Sequence, residues 1–340
     1  MQTGQTATLA VDVMGGDHGA PVMVAGALMA LEQDASLELA LVGDADVIHQ
    51  ELAPHTPASI GRVTVVGTES VLEATASPRA MLRQGPGTSL WQALLEVAEG
   101  RAAACVSADN TAALMLLGRK ILGPLSGIRR PALMSQIPTA RGMTGLLDLG
   151  ANLEVTAEQL FQFALMGSVV QASSHASQPT IGLLNVGHEQ SKGHSVVREA
   201  HDLLEQSPLN YHGYIEGHDL FAGRVDVAVC DGFAGNLILK ASEGLASMLL
   251  GTLRSSLQQG WRARLGSLLA GPSLRRALAP LNPDKHNGAP LLGLNGVVVK
   301  SHGRSGVLAT ANAVLEAGRE VKKNIPERIS EVLLAHPAED

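Results

Sequence analysis

Residues 225–236 read Val-Asp-Val-Ala-Val-Cys-Asp-Gly-Phe-Ala-Gly-Asn, an apolar run that breaks at two glycines and continues into the helical pattern Leu237-Ile238-Leu239-Lys240. The Val-rich half has the composition of a strand buried on both faces of a sheet. A strand that feeds a helix through a glycine-containing turn brings free backbone N–H groups and the positive end of the helix dipole to one point. Anions bind at such points. An ordinary strand-to-helix turn is written in the same letters, so taken singly the stretch leaves both readings open.

The same grammar recurs along the chain. Ala7 to Val13 is a first strand ending in Met14-Gly15-Gly16-Asp17-His18-Gly19, and Pro21 suits the first turn of a helix through Glu32. Further strands are expected at Leu37 to Val42, Arg62 to Val66, Ala102 to Val106, Thr180 to Asn185, Tyr211 to Ile215 and Gly296 to Lys300, with Pro131 to Ile137 and Thr144 to Leu149 as a pair. Helices are expected at Ala45 to Leu52, from the Thr88-Ser89 cap through Glu99, from Thr111 to about Lys120, at Ala157 to Val170 and at Val196 to Leu204, with a final pair after Ser305. Residues 67–88 read as loop, and Ser173 to Gln178 is the one polar connector that could mark an internal boundary. Alternating strands and helices predict a mostly parallel sheet covered on both faces. Ligands of such sheets bind beyond the carboxyl ends of the strands, so the polar turns should converge on one cleft.

Composition narrows the function. The chain has 340 residues, 45 % hydrophobic and 17 % charged, which describes a globular protein of one large unit or two intimately joined lobes. Aromatics are only 2 %, so the core rests on Leu, Val, Ala and Met, and base-stacking platforms for nucleic acid are disfavoured. The net charge of −7 points the same way. Cys105 and Cys230 sit in apolar runs without CxxC spacing and read as small buried hydrophobes in a reducing compartment. Met1 to Thr8 lacks a basic start followed by an apolar stretch, and no apolar run is long enough to span a bilayer. A cytoplasmic protein is expected.

One segment stands apart. Gly244 to Pro283 contains no acidic residue but carries Arg254, Arg262, Arg264, Arg275 and Arg276, while Leu249, Leu253, Leu257, Trp261, Leu265 and Leu268 recur at helical spacing. This predicts a basic amphipathic helix interrupted at Gly271-Pro272. It is either a surface helix packed on its own core or a face for an anionic membrane or an acidic partner.

Few constellations could carry chemistry. Lys192, in Asn-Val-Gly-His-Glu-Gln-Ser-Lys-Gly-His-Ser, precedes its glycine and so departs from a phosphate loop of the Walker type. It is either a solvated loop lysine or a point charge for a phosphate. Asn110, Asn152, Asn185 and Asn236 each stand at or beyond a strand end. They are turn formers, or together a set of neutral donors for an oxyanion. His302 lies beside Arg304 in a loop and is either solvated or an anion donor. Gly15-Gly16-x-x-Gly19 fails the dinucleotide spacing, no Gly-x-Ser-x-Gly elbow occurs, and the histidines and carboxylates show no metal-ligand spacing. The chain reads as an anion binder without a protein nucleophile, and no metal or cofactor is expected.

Eight segments in order then carry a resemblance: LAVDVMGGDHGAP, SADNTAALM, RPALMSQIPT, LLDLGANLEVTAEQLFQFALMGS, GLLNVGHEQSKG, YIEGHDLFAGRVDVAVCDGFAGNLILK, GAPLLGLNG and SHGRSGVLATANA. From about residue 8 to 318 the chain resembles the phosphate acyltransferases of bacterial phospholipid synthesis, the PlsX family. The resemblance implies a three-layer α/β/α fold similar to phosphotransacetylase and isopropylmalate dehydrogenase, built as a single domain over residues 1–340 with the basic helical insertion at about 244–283. It implies transfer of a long-chain fatty acyl group from acyl carrier protein to inorganic phosphate, a homodimer, and peripheral association with the inner face of the membrane beside a downstream glycerol-3-phosphate acyltransferase. Lys192 and Asn236 become the expected catalytic pair, with Asp12, Gly15, Gly16, Asp17, Asn110, Asn152, Asn185, Asp231 and His302 around the substrates. The chain departs from the family pattern at Asp109, Ala112 and Asn287, where glycine is usual, and lacks the basic residues usual near Gly85 and Pro86. Phosphate is itself a nucleophile and a thioester has a good leaving group, so such an enzyme needs positioning and oxyanion stabilisation more than a covalent intermediate. The rivals are an NAD-dependent dehydrogenase, which would need the missing glycine loop, and a non-catalytic membrane scaffold. Thiol release with and without phosphate separates the three.

Overall fold

The structure, a computed structural model, describes residues 6–56, 60–72, 77–173 and 178–335, with the backbone alone at 262, 264, 275 and 335. The connector positions 174–177, and the side chains of Arg262, Arg264 and Arg275, therefore lie outside the described residues. In chain order the elements are β1 (Ala7–Asp12), α1 (Gly19–Gln33), β2 (Leu37–Gly43), α2 (Ala45–Leu52), β3 (Val63–Gly67), α3 (Pro78–Gln84), α4 (Ser89–Ala98), β4 (Ala104–Ser107) and α5 (Thr111–Ile121). A hairpin follows, β5 (Ala132–Thr139) and β6 (Gly142–Leu147), then α6 (Ala157–Ala172), β7 (Ile181–Leu184), α7 (Ser195–Glu205), β8 (Tyr211–Ile215), α8 (Gly217–Ala222) and β9 (Val227–Val229). Two long helices, α9 (Gly232–Gln258) and α10 (Gly260–Leu278), precede β10 (Ala289–Leu292), β11 (Val297–Lys300), α11 (Val307–Lys323) and α12 (Ile325–Ala335).

One eleven-stranded sheet runs through the molecule in the order β3-β2-β1-β4-β11-β10-β5-β6-β9-β7-β8. Strand alternation sorts the core into layers. Ala10, Cys105, Val298, Leu146 and Ala228 face one side, against Leu90 and Leu94 of α4 and Leu114 and Leu117 of α5. Leu9, Val11, Val106 and Val299 face the other side, against Met23 and Leu31 of α1 and Val314 of α11. In the far half, Met134, Leu147, Val227 and Val229 continue that second face against Phe163 of α6 and Ala200 and Leu204 of α7. The fold is a three-layer α/β/α sandwich, and both cysteines are buried in it.

Several elements depart from the sequence expectation, among them α8 and β10, which the sequence does not announce. The stretch after Cys230 is no turn: α9 starts at Gly232, with the Asp231 carboxylate accepting the Ala234 N–H at 2.8 Å as N-cap. Its glycines serve close approach. A Cβ on Gly235 would stand 1.9 Å from the Asp148 carbonyl oxygen, and one on Gly232 would stand 2.6 Å from the Asn152 carbonyl oxygen. The basic segment breaks at Gln259 and Gly260, where Gly260 takes φ +80°, while Pro272 lies inside α10. Within the expected loop 67–88, Pro78–Gln84 forms α3 behind a Ser77 cap.

Alanine for glycine in a helix ordinarily stabilises by about 1 kcal/mol. At Gly235 the sign should reverse, because a backbone carbonyl cannot swing aside as a side chain would. Gly235→Ala is expected to cost about 1–3 kcal/mol net in urea unfolding. A neutral or stabilising result would mean that α9 does not rest on the Asp148 turn.

Candidate active site

Strand direction divides the expected site residues into two sets. β1, β2, β3, β4 and β11 are parallel to one another. β10 then runs against β11, β5 against β10 and β6 against β5, after which β9, β7 and β8 follow β6. The carboxyl ends of β1, β4 and β11 therefore lie at the opposite end of the sheet from those of β6, β7 and β9. Asp12, Gly15, Gly16, Asp17, Asn110 and His302 follow the first group; Asn152, Asn185, Lys192, Asp231 and Asn236 follow the second. Strand ends alone do not make the single cleft expected from the sequence, because the antiparallel centre reverses half the sheet.

Helix α9 joins the two ends. It starts beyond β9 and runs back along the sheet, packing Ala234, Ile238 and Leu239 on the core side. Asn236 and Lys240, one turn apart and about 6 Å along the axis, share its exposed side. There Lys240 Nζ comes within 2.8 Å of His302 Nε2, and the Glu243 carboxylate accepts from Lys240 at 2.9 Å. His302 thus belongs with Asn236 although the two follow strands of opposite direction.

Around His302 the first set is tightly built. The Asp12 carboxylate is fully buried and accepts the Ser107 hydroxyl at 2.7 Å. Burial pushes its pKa up to about 6, while the hydroxyls of Ser107 and Ser89 pull it down. Gly15 allows the chain to pass this carboxylate, since a Cβ there would stand 2.9 Å from Asp12 Oδ2 and 3.0 Å from the Asp109 nitrogen. Gly16, at φ +83°, lies against Ala108, and the Asp17 N–H donates to the Gly303 carbonyl at 2.7 Å. The exposed Asp17 carboxylate sits 3.6 Å from Arg304 Nε. Asn110 caps α5, its side-chain oxygen accepting the Ala112 N–H at 2.8 Å.

Lys300 ends the central strand β11 and donates to the backbone carbonyls of Asp109 at 2.7 Å and Ser301 at 2.9 Å. Burial lowers its pKa to about 8 against the opposing pull of the Asp109 carboxylate. Asp109 is itself buried and raised, and its carboxylate accepts the Asn110 N–H at 2.6 Å, so it is engaged with the backbone of its own turn. Asn287 donates to the Ser301 hydroxyl and the Ala309 carbonyl, each at 2.8 Å, and accepts the His302 N–H at 3.0 Å. Asn287 thus ties the His302 loop to α11.

In the second set, Asn152 is buried and spends both amide hydrogens inside the fold, on the Pro131 carbonyl at 2.8 Å and Asp148 Oδ2 at 2.9 Å. Its side-chain nitrogen is thereby committed within the fold. Asn185 donates to the Lys192 carbonyl at 3.3 Å and accepts the Val186 N–H at 2.9 Å, folding the loop that presents an exposed Lys192. Asn236 stands in the second turn of α9, against Gly150, where a Cβ would be 3.5 Å from the Asn236 Cβ. On α7, the helix that follows the Lys192 loop, His201, Asp202 and Glu205 bring ligand atoms within 4.8 Å of one another, a grouping the sequence spacing does not announce.

Sequence reasoning does not single out Lys240, Lys300 or Ser107. Lys300 had a signal, a cation closing the run Val297-Val298-Val299. Lys240 had a weaker one, its spacing of four from Asn236, which matters only once helix replaces turn.

The raised Asp12 pKa fixes a sign. Between the ordinary value of 3.8 and about 6 the folded chain binds more protons at this site than the unfolded chain, so its contribution to stability falls as pH rises through that window. Relative to Asp12→Asn, the wild type should lose up to about 3 kcal/mol between about pH 4 and pH 7 in denaturant titrations. A stability difference that stays flat with pH would show that this carboxyl titrates normally.

A family profile described as "Fatty acid synthesis protein" matches residues 7–328. The phosphate acyltransferase of Legionella pneumophila (strain Paris) is 45 % identical over 324 residues, covering 95 % of each chain. That of Photobacterium profundum is 46 % identical over 328 residues, covering 96 % of each. Among solved structures, a phosphotransacetylase from Streptococcus pyogenes superposes with TM-score 0.61 at 17 % identity, covering 94 % of this chain and 95 % of that one. A 4-hydroxythreonine-4-phosphate dehydrogenase from Klebsiella pneumoniae does so with TM-score 0.51 at 13 % identity, covering 94 % and 99 %. The structural likenesses speak to the fold alone. The sequence matches reach further: the chain belongs to the phosphate acyltransferase family of fatty acid synthesis proteins and is an acyltransferase.

Proposed function

We propose that this enzyme moves a long-chain fatty acyl group from acyl carrier protein to inorganic phosphate. A phosphate oxygen attacks the thioester carbonyl, the carbon–sulfur bond breaks, and the carrier leaves as a thiolate that takes up a proton. The product is an acyl phosphate. The observation that carries the reading is the row Asn236, Lys240 and His302, which places an amide donor, a cation and an imidazole along one exposed helix face. Lys192 supplies a further cation, as a point charge for phosphate, and Asn236 donates to the oxygen that becomes negative as the carbonyl is attacked. Asp12, Gly15, Gly16, Asp17, Asn110 and Asp231 shape the turns at either end, and Asn152 and Asn185 brace them.

The acyltransferase is one domain over residues 1–340, with α9 beyond Gly244 and α10 forming its insertion at about 244–283. The insertion suits an acidic carrier and an anionic membrane surface. Leu245, Met248 and Leu249 on α9 and Trp261, Leu265, Leu268 and Leu269 on α10 are exposed, an apolar area that supports a homodimer contact and a surface contact. Leu257 instead lines a groove of about 800 Å³ between the two helices, with Leu250, Leu253, Leu274 and Leu278. Among the described residues no helix is long and apolar enough to cross a membrane. A cytoplasmic enzyme peripheral to the inner face could pass its labile product to a glycerol-3-phosphate acyltransferase there.

Steady-state thiol release with phosphate varied tests the reaction and its residues. Release should require phosphate. Lys192→Ala should chiefly raise the phosphate requirement, with Lys192→Arg recovering only part, because a planar fork does not replace a compact ammonium. Asn236→Ala should lower turnover at saturating phosphate by about 10²-fold to 10³-fold. Phosphate-independent release in the wild type would refute the reaction, and a Lys192→Ala enzyme indistinguishable from wild type would misplace the site. For the membrane, Trp261→Asp with Leu268→Asp should abolish flotation with anionic vesicles without changing helical circular dichroism, and undiminished flotation would argue against α10 as the contact.

A further inference from the structure

The acyl transfer proposed above makes no use of His201, Asp202 and Glu205. His201 is only 7 % exposed on α7, and two rings of β8, the edge strand of the sheet, hold its imidazole in place. The Tyr214 ring stacks on it with centroids 4.4 Å apart, and the Tyr211 ring meets it edge-on at 5.5 Å. His201 Nδ1 lies 2.8 Å from the Tyr211 hydroxyl. Nε2, by contrast, is buried without a hydrogen-bond partner, and so is the Tyr214 hydroxyl. Folded interiors rarely leave such groups unpaired, and two of them together point to a ligand. Nε2 faces the carboxylates of its own helix. Glu205 Oε1, one turn on, stands 3.4 Å away but out of line for a hydrogen bond. Asp202 adds an oxygen, so that all three ligand atoms lie within 4.8 Å of one another. Two ligand atoms each about 2.1 Å from a single tetrahedral ion stand about 3.4 Å apart.

We infer that His201 Nε2, Asp202 and Glu205 form a binding site for a divalent transition-metal ion of the zinc type. Two carboxylates and a neutral imidazole balance the charge of such an ion, and water completes a four-coordinate shell. The imidazole nitrogen selects zinc over magnesium, which takes oxygen ligands. Tyr211 orients the ring. A metal on Nε2 requires the ring proton on Nδ1, and the Tyr211 hydroxyl oxygen accepts it at 2.8 Å, the kind of outer partner that metal-bound histidines have. The surrounding field agrees. Burial raises the pKa of Tyr214, with Asp202 and Glu205 pushing the same way and Arg198 opposing them. Burial likewise raises Tyr211, with Tyr214, Glu205 and Asp202 adding to it. Negative charge is thus gathered beside an unpaired nitrogen, and a cation satisfies both. Arg198 does not fill this place, because its guanidinium donates to the Gly193 carbonyl at 2.7 Å. Asp202 and Glu205 are exposed, which gives an ion direct entry from solvent. Among the described residues no other His, Cys, Asp and Glu side chains converge in this way.

The test titrates Zn²⁺ by calorimetry, and Co²⁺ by visible absorption, into the full chain after treatment with a chelator. One tight ion should bind per chain, and Co²⁺ should give the visible bands of a four-coordinate nitrogen and oxygen shell. Mg²⁺ in large excess should not displace it. Tyr211→Phe, which removes only the outer partner, should weaken Zn²⁺ binding by about 10-fold to 100-fold. His201→Gln and Glu205→Gln should weaken it further. Glu205 is exposed, so Glu205→Gln should keep its helical circular dichroism and decides the matter even where the buried His201→Gln fails to fold. His49→Gln, an exposed histidine on α2 beside the opposite edge of the sheet, should leave the isotherm unchanged. Absence of a stoichiometric Zn²⁺ isotherm in the wild type overturns the site, as does wild-type affinity in Glu205→Gln or Tyr211→Phe. Equal weakening by His49→Gln and Glu205→Gln would show scattered surface histidines instead and overturns it too. Binding is read without turnover, so the metal site and the acyl-transfer reading stand or fall separately.

Discussion

The contact between the first turn of α9 and the turn after β6 governs the rest of the site. Gly235 lets the helix backbone rest on the Asp148 carbonyl, and Gly232 does the same against Asn152. The turn beneath is stiff because the buried Asp148 carboxylate accepts the N–H groups of Leu133, Ala151 and Asn152 and the Asn152 amide, at 2.6 to 3.2 Å. Burial raises the pKa of that carboxyl, and these bonds work against it. With the helix pinned at this point its direction is set, and Lys240 arrives at His302 two turns later. Any residue larger than glycine at position 235 would lift the helix and open that gap.

The other side of the site solves an electrostatic problem. An enzyme that binds an anion carries Asp12, Asp17, Asp109 and Glu243 close to its cations. Burial raises the pKa of Asp12 and of Asp109, which makes their ionised forms costly. Asp109 is further occupied by the Asn110 N–H and balanced by Lys300 beneath its carbonyl. A half-buried lysine thus accompanies the carboxylate. Asp17 and Glu243 are spent on Arg304 and Lys240. What reaches solvent from this corner is therefore less negative than the residue list suggests.

Much of the layered fold was legible in the sequence, because period-2 alternation and Val-rich runs report burial directly. The first strand is an example: Leu9 and Val11 went to one face and Ala10 to the other. The reversal of half the sheet was not legible. It enters at the β5–β6 hairpin, since β10 lies antiparallel between two strands, β11 and β5, that run the same way. Two strands were expected at β5 and β6, but β10, four residues containing Pro290 and flanked by Gly288 and Gly293, sends no strand signal of its own, and without it β5 has no visible place in the sheet. Likewise, glycine is written the same way whether it turns a chain or lets two segments touch, so Gly232 and Gly235 read as a turn. Asn152 reads as a ligand donor for a similar reason. Only the folded chain shows that its amide nitrogen donates to Pro131 and Asp148.

The same helix that carries Asn236 and Lys240 continues unbroken to Gln258, about 33 Å further on, where it meets the exposed apolar hairpin. The proposed product, an acyl phosphate, joins a dianionic head to a hydrocarbon tail, and the two halves prefer opposite surroundings. Along α9 the chain changes in the matching order, from amide and ammonium at the site, through Leu245, Met248 and Leu249, to the basic, leucine-rich turn at Gly260. A chemistry without a protein nucleophile leaves positioning as the chief task. On this reading one rigid element performs it at both scales, holding the reacting groups at its start and meeting the surface where a lipid product belongs at its end.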